Sequence, residues 1–380
     1  MFNQTTSLPH LCTKSGSPIN RILISIETIS GVGKKSGNFI ASPFLVESTF
    51  AALYLGSSGK AAEEIRRVFH LPEKTEETED NFKTLFSLFT NQGYNLHIAN
   101  KFCFKESFLL NPIWQKQVKS TFQMDASVMN FSNTTAVAEK MNHWIREHTN
   151  DKIETITSVE ALNVETDSVI LGALYFQGEW EQQFSTTDTI KASFYKTTNI
   201  SVSVDMMQLK EHMFLYGKSD TLDATFLELP FGKSEASMVF ILTEKFDGLY
   251  DLESKIDQVL QFRDFNYRSL NVLVPKFRIK NELDLIGILS HLGLRNVFSV
   301  TNSALSGLII NSTTPSITKV AQKTFLGINE RGIEAAAGQK LTLGMMRAMI
   351  KSDEFRADHP FMFYLKIKDL VVFVGGVIDL

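Results

Sequence analysis

Residues 330–350 read Glu330-Arg331-Gly332-Ile333-Glu334-Ala335-Ala336-Ala337-Gly338-Gln339-Lys340-Leu341-Thr342-Leu343-Gly344-Met345-Met346-Arg347-Ala348-Met349-Ile350. Sorted by parity, one set is Ile333, Ala335, Ala337, Gln339, Leu341 and Leu343; the other is Glu334, Ala336, Gly338, Lys340, Thr342 and Gly344. The first is apolar except for Gln339, and the second is small or polar. Such period-two alternation marks a half-buried strand. Yet Ala and Gly are poor strand residues. The segment can therefore sit in a sheet or live outside one.

Working outward, Phe355-Arg356-Ala357-Asp358-His359-Pro360-Phe361-Met362-Phe363 follows near the C-terminus. Upstream stand Phe176-Gln177-Gly178-Glu179-Trp180 with Phe184, and Pro275-Lys276-Phe277 with Leu285, Leu289, Leu292-Gly293 and Phe298. Asn142-His143-Trp144-Ile145 with Thr149 and Lys152-Ile153, the pair Ala99-Asn100, and Ser42-Pro43-Phe44 complete the set. In this order, from about residue 38 to the end, they resemble the motifs of the serpin family. The family's hinge runs Glu, any residue, Gly, small residue, Glu, Ala, Ala, Ala. Glu330, Gly332, Glu334, Ala335, Ala336 and Ala337 match it, and Ile333 replaces the small residue. The resemblance implies one domain over 1–380, with a flexible tail at 1–16 and the hinge and reactive loop at 330–354. It implies an α+β fold of three sheets and eight or nine helices.

The residues themselves point the same way. Apolar content of 43% suits a large core, and thirty Phe residues strengthen it. No Pro/Gly/Ser-rich linker, charge block or repeat divides the 380 residues. Helical spacing covers 43–56, 60–70, 78–90, 111–122, 134–149 and 282–292, and a further helix is expected from Ser17-Pro18. Strands fit the stretch around Leu96–Phe104, then 168–176, 203–209, 223–229, 236–243, 268–279, 315–326, 361–367 and 370–377. Helices mostly first and strands mostly later argue for α+β rather than a doubly wound sheet.

A formal charge of −4 does not suggest a nucleic acid or an anionic membrane as partner. No apolar run approaches the ~18 residues of a transmembrane helix. A basic start followed by an apolar stretch is absent, so no signal peptide is expected. The polar tail ahead of the first helix leans toward a secreted mature chain, with an intracellular site still open. Four Asn-X-Ser/Thr sequons, at Asn3, Asn133, Asn199 and Asn311, are about the number chance would give. Cys12 and Cys103 read as two thiols, and metal-ligand spacing is absent.

No catalytic constellation with specific spacing occurs: no Gly-X-Ser-X-Gly elbow, no phosphate loop, no His-Glu-X-X-His. Gly56-Ser57-Ser58-Gly59 reads as a turn between helices. His143 and His148 do not share a helical face, and His359 reads as structural. The chain is not expected to be an enzyme or to need a cofactor or metal.

By the resemblance, it is a monomeric suicide inhibitor. A trypsin-, chymotrypsin- or papain-like endopeptidase attacks the loop and forms an acyl-enzyme. The cleaved loop then enters the main sheet as a strand, carrying the protease with it. The first parity set would face the core, and each of Ile333, Leu341 and Leu343 would gain about 1.5–3 kcal/mol. The alternative is a non-inhibitory carrier, storage protein or chaperone. Such members commonly carry bulky or charged hinge residues, and no charge falls on this inserting face. The family's hinge-to-bond distance gives Met346–Arg347 as the cleaved bond, and one residue further gives Arg347–Ala348. Recognition falls to Met345, Met346 and Arg347. The sheet-opening region maps to Ser42, Gly172, Trp180, Thr318 and Gln322. Leu45, Gly172, Thr318 and Gln322 stand where the family usually holds a polar network, so that network reads as replaced as a unit.

Overall fold

The computed structural model describes residues 37–90, 93–299, 305–311, 315–333 and 352–380. The first part of the chain is mostly helical. It holds α1 (Pro43–Tyr54), α2 (Gly59–Phe69), α3 (Thr75–Ser87), α4 (Pro112–Phe122) and α5 (Thr134–His148), with β1 (Phe39–Ala41), β2 (Tyr94–Lys105) and β3 (Asp125–Met129) among them. Then come β4 (Ser168–Glu179), β5 (Ile190–Thr197), β6 (Ile200–Ser219), β7 (Ala224–Pro230) and β8 (Ala236–Thr243). Next are α6 (Leu249–Glu253), α7 (Ile256–Gln261), β9 (Asn266–Pro275), β10 (Phe277–Asp284) and α8 (Ile286–His291). The chain closes with β11 (Lys319–Asn329), β12 (Gly332–Ile333), β13 (Asp353–Arg356), β14 (Phe361–Ile367) and β15 (Leu370–Val377). The mixed α+β class is as expected. The helix expected from Ser17-Pro18, the tail 1–16 and Cys12 lie outside the described residues.

Local chemistry starts the helices where the sequence says. Ser42 Oγ accepts from Leu45 N ahead of Pro43, Asn111 Oδ1 accepts from Ile113 N ahead of Pro112, and Asn133 Oδ1 accepts from Ala136 N. Each cap satisfies an N–H that the first turn leaves without a partner.

Six strands form one sheet, in the order β10-β11-β12-β4-β2-β3. The other nine are joined through β6, whose register breaks between Leu209 and His212. With the two sections on either side of β6 counted separately, three sheets result. The six-stranded sheet is buried on both faces. From β4, Ile170, Leu174 and Phe176 enter the main core. Val169, Leu171 and Ala173 enter a second core with Val137, Met141 and Trp144 of α5, and Ala321 of β11 joins that cluster. This double burial explains the nearly unbroken apolar run of β4.

Some boundaries move. The expected strand 268–279 is two strands, broken at Lys276, whose N–H turns aside to Asp205 O at 2.9 Å. β9 pairs with β6 in one sheet, and β10 pairs with β11 in the other. That pairing runs to Asp284, so the helix expected from 282 begins only at Ile286. Strand β5 was not expected because its alternation is poor; of its residues only Phe194 is buried. Cys103 is buried, and desolvation pushes its thiol up to about 12, which leaves it unreactive.

All twelve residues of α1 are buried, Glu47 included. Neither Glu47 carboxyl oxygen has a hydrogen-bond partner among the described residues, and burial pushes the pKa up to about 8. A carboxyl raised in the folded state stays protonated while the unfolded chain ionises above 4.5. Stability is therefore lost as pH rises through the interval from 4.5 to about 8, with a limiting slope of about 1.4 kcal/mol per pH unit. Glu47→Gln is expected to flatten that slope and to raise the melting temperature more at pH 8 than at pH 5. Parallel melting curves for both proteins across this range would refute the assignment.

Candidate functional site

Strand β11 runs parallel to β4, with Lys319–Phe325 opposite Val169–Tyr175. Beyond Phe325 the two strands stay apart, and the chain folds back into the gap. Asn329 Oδ1 accepts from Arg331 N at 2.9 Å, which tightens the turn. Gly332 and Ile333 then run antiparallel to both neighbours. Ile333 stands opposite Ile328 on β11 and Gly178 on β4, and Gly332 opposite Asn329 and Glu179. Ile333 is fully buried.

Only glycine fits at 332. Its φ is +146°, and a Cβ there would stand 2.0 Å from Gly178 O. Trp180 anchors the turn from the side: its N–H reaches Arg331 O at 2.7 Å and its indole Nε1 reaches Asn329 O at 3.0 Å. The ring stacks on Phe231. Glu330 is buried between Lys276 Nζ at 2.5 Å and Thr189 Oγ1 at 2.8 Å. Burial raises its pKa, but the bond from Lys276, supported by Thr189, outweighs that and holds the carboxyl below its usual range. The anchor thus stays ionised where an ordinary carboxylate protonates. Its contribution is present above the unfolded pKa and is lost only as pH falls through the lower, folded one.

A turn that wedges the start of a third strand between two parallel strands frames the segment first read from the sequence. The chain as a whole matches the family model described as "Serpin (serine protease inhibitor)" over residues 25–380. This protein belongs to the serpin family. It is similar to "Serine protease inhibitor 42Dd" of Drosophila melanogaster, 30% identical over 346 residues, covering 90% of this chain and 91% of that one. The crystal structure of Serpin48 of the insect Tenebrio molitor superposes with a TM-score of 0.89 at 33% identity, covering 96% of this chain and 97% of that one. Human thyroxine-binding globulin superposes with a TM-score of 0.86 at 22% identity, covering 97% of this chain and 99% of that one, which shows the fold alone. Serpins act on proteases as inhibitors rather than as enzymes, and relatives of this one carry inhibitor names.

In this serpin the sheet-opening residues are spread along the β4–β11 seam. Trp180 lies at the hinge end. Thr318 lies at the opposite end, where its Oγ1 accepts from Asp167 N and Ser168 N, both at 3.0 Å. Between them Ser42, Gly172 and Gln322 come together. The Gln322 amide clasps the backbone of Ser42 twice: Oε1 accepts from Ser42 N and Nε2 donates to Ser42 O, both at 3.1 Å. Beside it Asn100 Nδ2 donates to Thr49 Oγ1 at 2.7 Å, and Thr49 donates to Leu45 O at 2.6 Å. The polar network is therefore rebuilt from Gln322, Asn100 and Thr49 rather than lost.

Glu334, Ala335, Ala336, Ala337, Met345, Met346, Arg347 and Ala348 lie outside the described residues. Lys276 and Thr189, the partners of Glu330, were not picked out from sequence; Lys276 stood only within the Pro275-Lys276-Phe277 motif. His359 is buried, with Nε2 at 2.8 Å from Thr243 O and Nδ1 at 3.0 Å from Asp358 Oδ1. Among the described residues no group of three or more His, Cys, Asp or Glu side chains is placed to hold a metal, and no helix is long and apolar enough to cross a membrane.

Proposed function

We propose that this serpin is a suicide-substrate inhibitor of a serine or papain-like cysteine endopeptidase. The protease's nucleophile attacks a carbonyl between Met345 and Ala348, the amine side of the bond departs, and an acyl-enzyme remains. The cleaved loop then extends β12 down the seam between β11 and β4, and the tethered protease is carried along before water releases it. The observation that supports this is Ile333, already seated between the two strands in antiparallel register. Since Ile333 is buried before any cleavage, Leu341 and Leu343 remain as the large side chains to be gained. The carrier reading draws on the likeness to thyroxine-binding globulin, which is one of fold alone.

The cleaved bond is assigned to Met346–Arg347, with Arg347–Ala348 as the second choice. Incubation with trypsin, chymotrypsin and papain, followed by a search for detergent-stable complexes and sequencing of the released peptide, tests both function and bond. Arg347→Ala is expected to slow inhibition about tenfold or less, while Met345→Asp or Met346→Asp does the larger damage. A loss of several orders of magnitude confined to Arg347→Ala against trypsin would move the bond to Arg347–Ala348, because a buried ion-pair partner is worth about 2–5 kcal/mol. No stable complex with any of the three would favour the carrier reading.

A further inference from the structure

The main-core face of the six-stranded sheet carries one amide row. Asn100 on β2 stands opposite Gly172 on β4, and Gly172 stands opposite Gln322 on β11. The rows on either side are Ile98, Leu174 and Thr324, and Phe102, Ile170 and Val320. Thr324 bonds to Ile40 O at 3.0 Å, and Gln322 has its two partners on Ser42. Asn100 is different. Its Nδ2 is engaged by Thr49, whose own hydroxyl proton goes to Leu45 O, so the carboxamide orientation is fixed. That leaves Asn100 Oδ1 buried with no hydrogen-bond partner among the described residues. Such an acceptor costs about 1–3 kcal/mol, and a native orphan calls for a reason.

The register supplies one. Continued antiparallel from Ile333, the chain reaches Gln339 six residues on, opposite Gly172 on one side and Gln322 on the other. Gln339 is the one polar residue of the inserting parity, and it arrives at the amide row. Gly172 leaves the way open. A Cβ there would meet Asn100 Oδ1 and Leu45 Cδ2, each at 3.1 Å, so the Asn100 oxygen already leans over the bare glycine toward the lane. A cavity of about 10 Å³ lies at the same place, lined by Leu45, Thr49, Asn100, Ile170, Gly172 and Gln322.

We propose that Gln339 positions the inserted loop by donating from Nε2 to Asn100 Oδ1 across Gly172. The pair joins the one polar side chain of the entering face to the buried acceptor of the receiving face. A slip of two residues would keep the parity but place Ala337 or Leu341 at the amide row and leave both amides without partners. Gln339 thus fixes how far the loop travels. This rests on the insertion reading above and names the residue that sets its register.

The test compares the melting-temperature gain on loop cleavage for wild type, Gln339→Ala, Asn100→Ala and the double variant. Each is cut with whichever of trypsin, chymotrypsin or papain cleaves within Met345–Ala348. Gln339→Ala is expected to reduce the gain by about 2–4 °C. With Asn100 already replaced by Ala, it should reduce the gain by less than half as much, because the two residues act on one bond. Equal reductions in both backgrounds, with a normal wild-type gain, would overturn the pairing and leave the insertion reading standing. No wild-type gain at all would overturn insertion itself. Should Asn100→Ala not fold, a crystal structure of the cleaved wild-type chain decides. Gln339 Nε2 is expected at about 3 Å from Asn100 Oδ1, and an amide directed elsewhere refutes the proposal.

Discussion

Cleavage between Met345 and Ala348 is expected to raise the melting temperature by on the order of 20 °C. The size follows from what insertion replaces. At present β11 and β4 share one parallel ladder, from Lys319–Val169 to Phe325–Tyr175. An entering strand exchanges that ladder for two antiparallel ones, which are slightly more stable per residue. The exchange is a net gain of one ladder, with each added bond contributing roughly 0.5–1.5 kcal/mol. Leu341 and Leu343 add about 1.5–3 kcal/mol each as they leave water. The intact molecule is then held short of its most stable arrangement by a barrier. A melting scan on protein whose cut has been verified by sequencing checks this. An unchanged melting temperature would remove the driving force for trapping and favour a carrier.

Ala335→Arg is expected to turn the inhibitor into a substrate. The register that seats Ile333 brings residue 335 between Phe176 of β4 and Leu326 of β11, and both of those side chains are fully buried on the core face. A guanidinium entering there has neither water nor a partner, and the cost is several kcal/mol. The bond near Met346 stays attackable, so cleavage continues. What fails is the race against hydrolysis of the acyl-enzyme. On a gel, the covalent complex should give way to cleaved serpin. Trapping at wild-type stoichiometry would mean that the register of Gly332 and Ile333 does not continue into the loop.

Much of this was legible in the sequence because periodicity reports burial. The parity of 333–343 placed Ile333 on the core face, where it lies. The double-faced apolar run of β4 and the capped starts of α1 and α5 were equally plain. What escaped notice depends on residues far apart in the chain. Glu330 could be read as a hinge residue, but its bond to Lys276 comes from the break between β9 and β10, where the chain passes from one sheet to the other. A continuous strand over 268–279 hid that break. The Asn100 orphan was invisible for the same reason, since it exists only because Thr49 holds the other end of the amide. Likewise β5 and β13 are short strands with little buried surface, and pairing rather than pattern makes them strands.

The second core adds a consequence in time rather than in energy. It binds Ala321 of β11 into one cluster with Leu171 and Ala173 of β4, beneath Val137, Met141 and Trp144 of α5. The seam is thus roofed by a helix packed on both of its banks. Close-packed side chains do not stretch, so an entering strand has to slide this roof before it can move. Side chains that touch neither the loop nor the protease would therefore govern the delay. In the proposed mechanism they act as an escapement: the ladders store the drive, and α5 sets how fast it runs down.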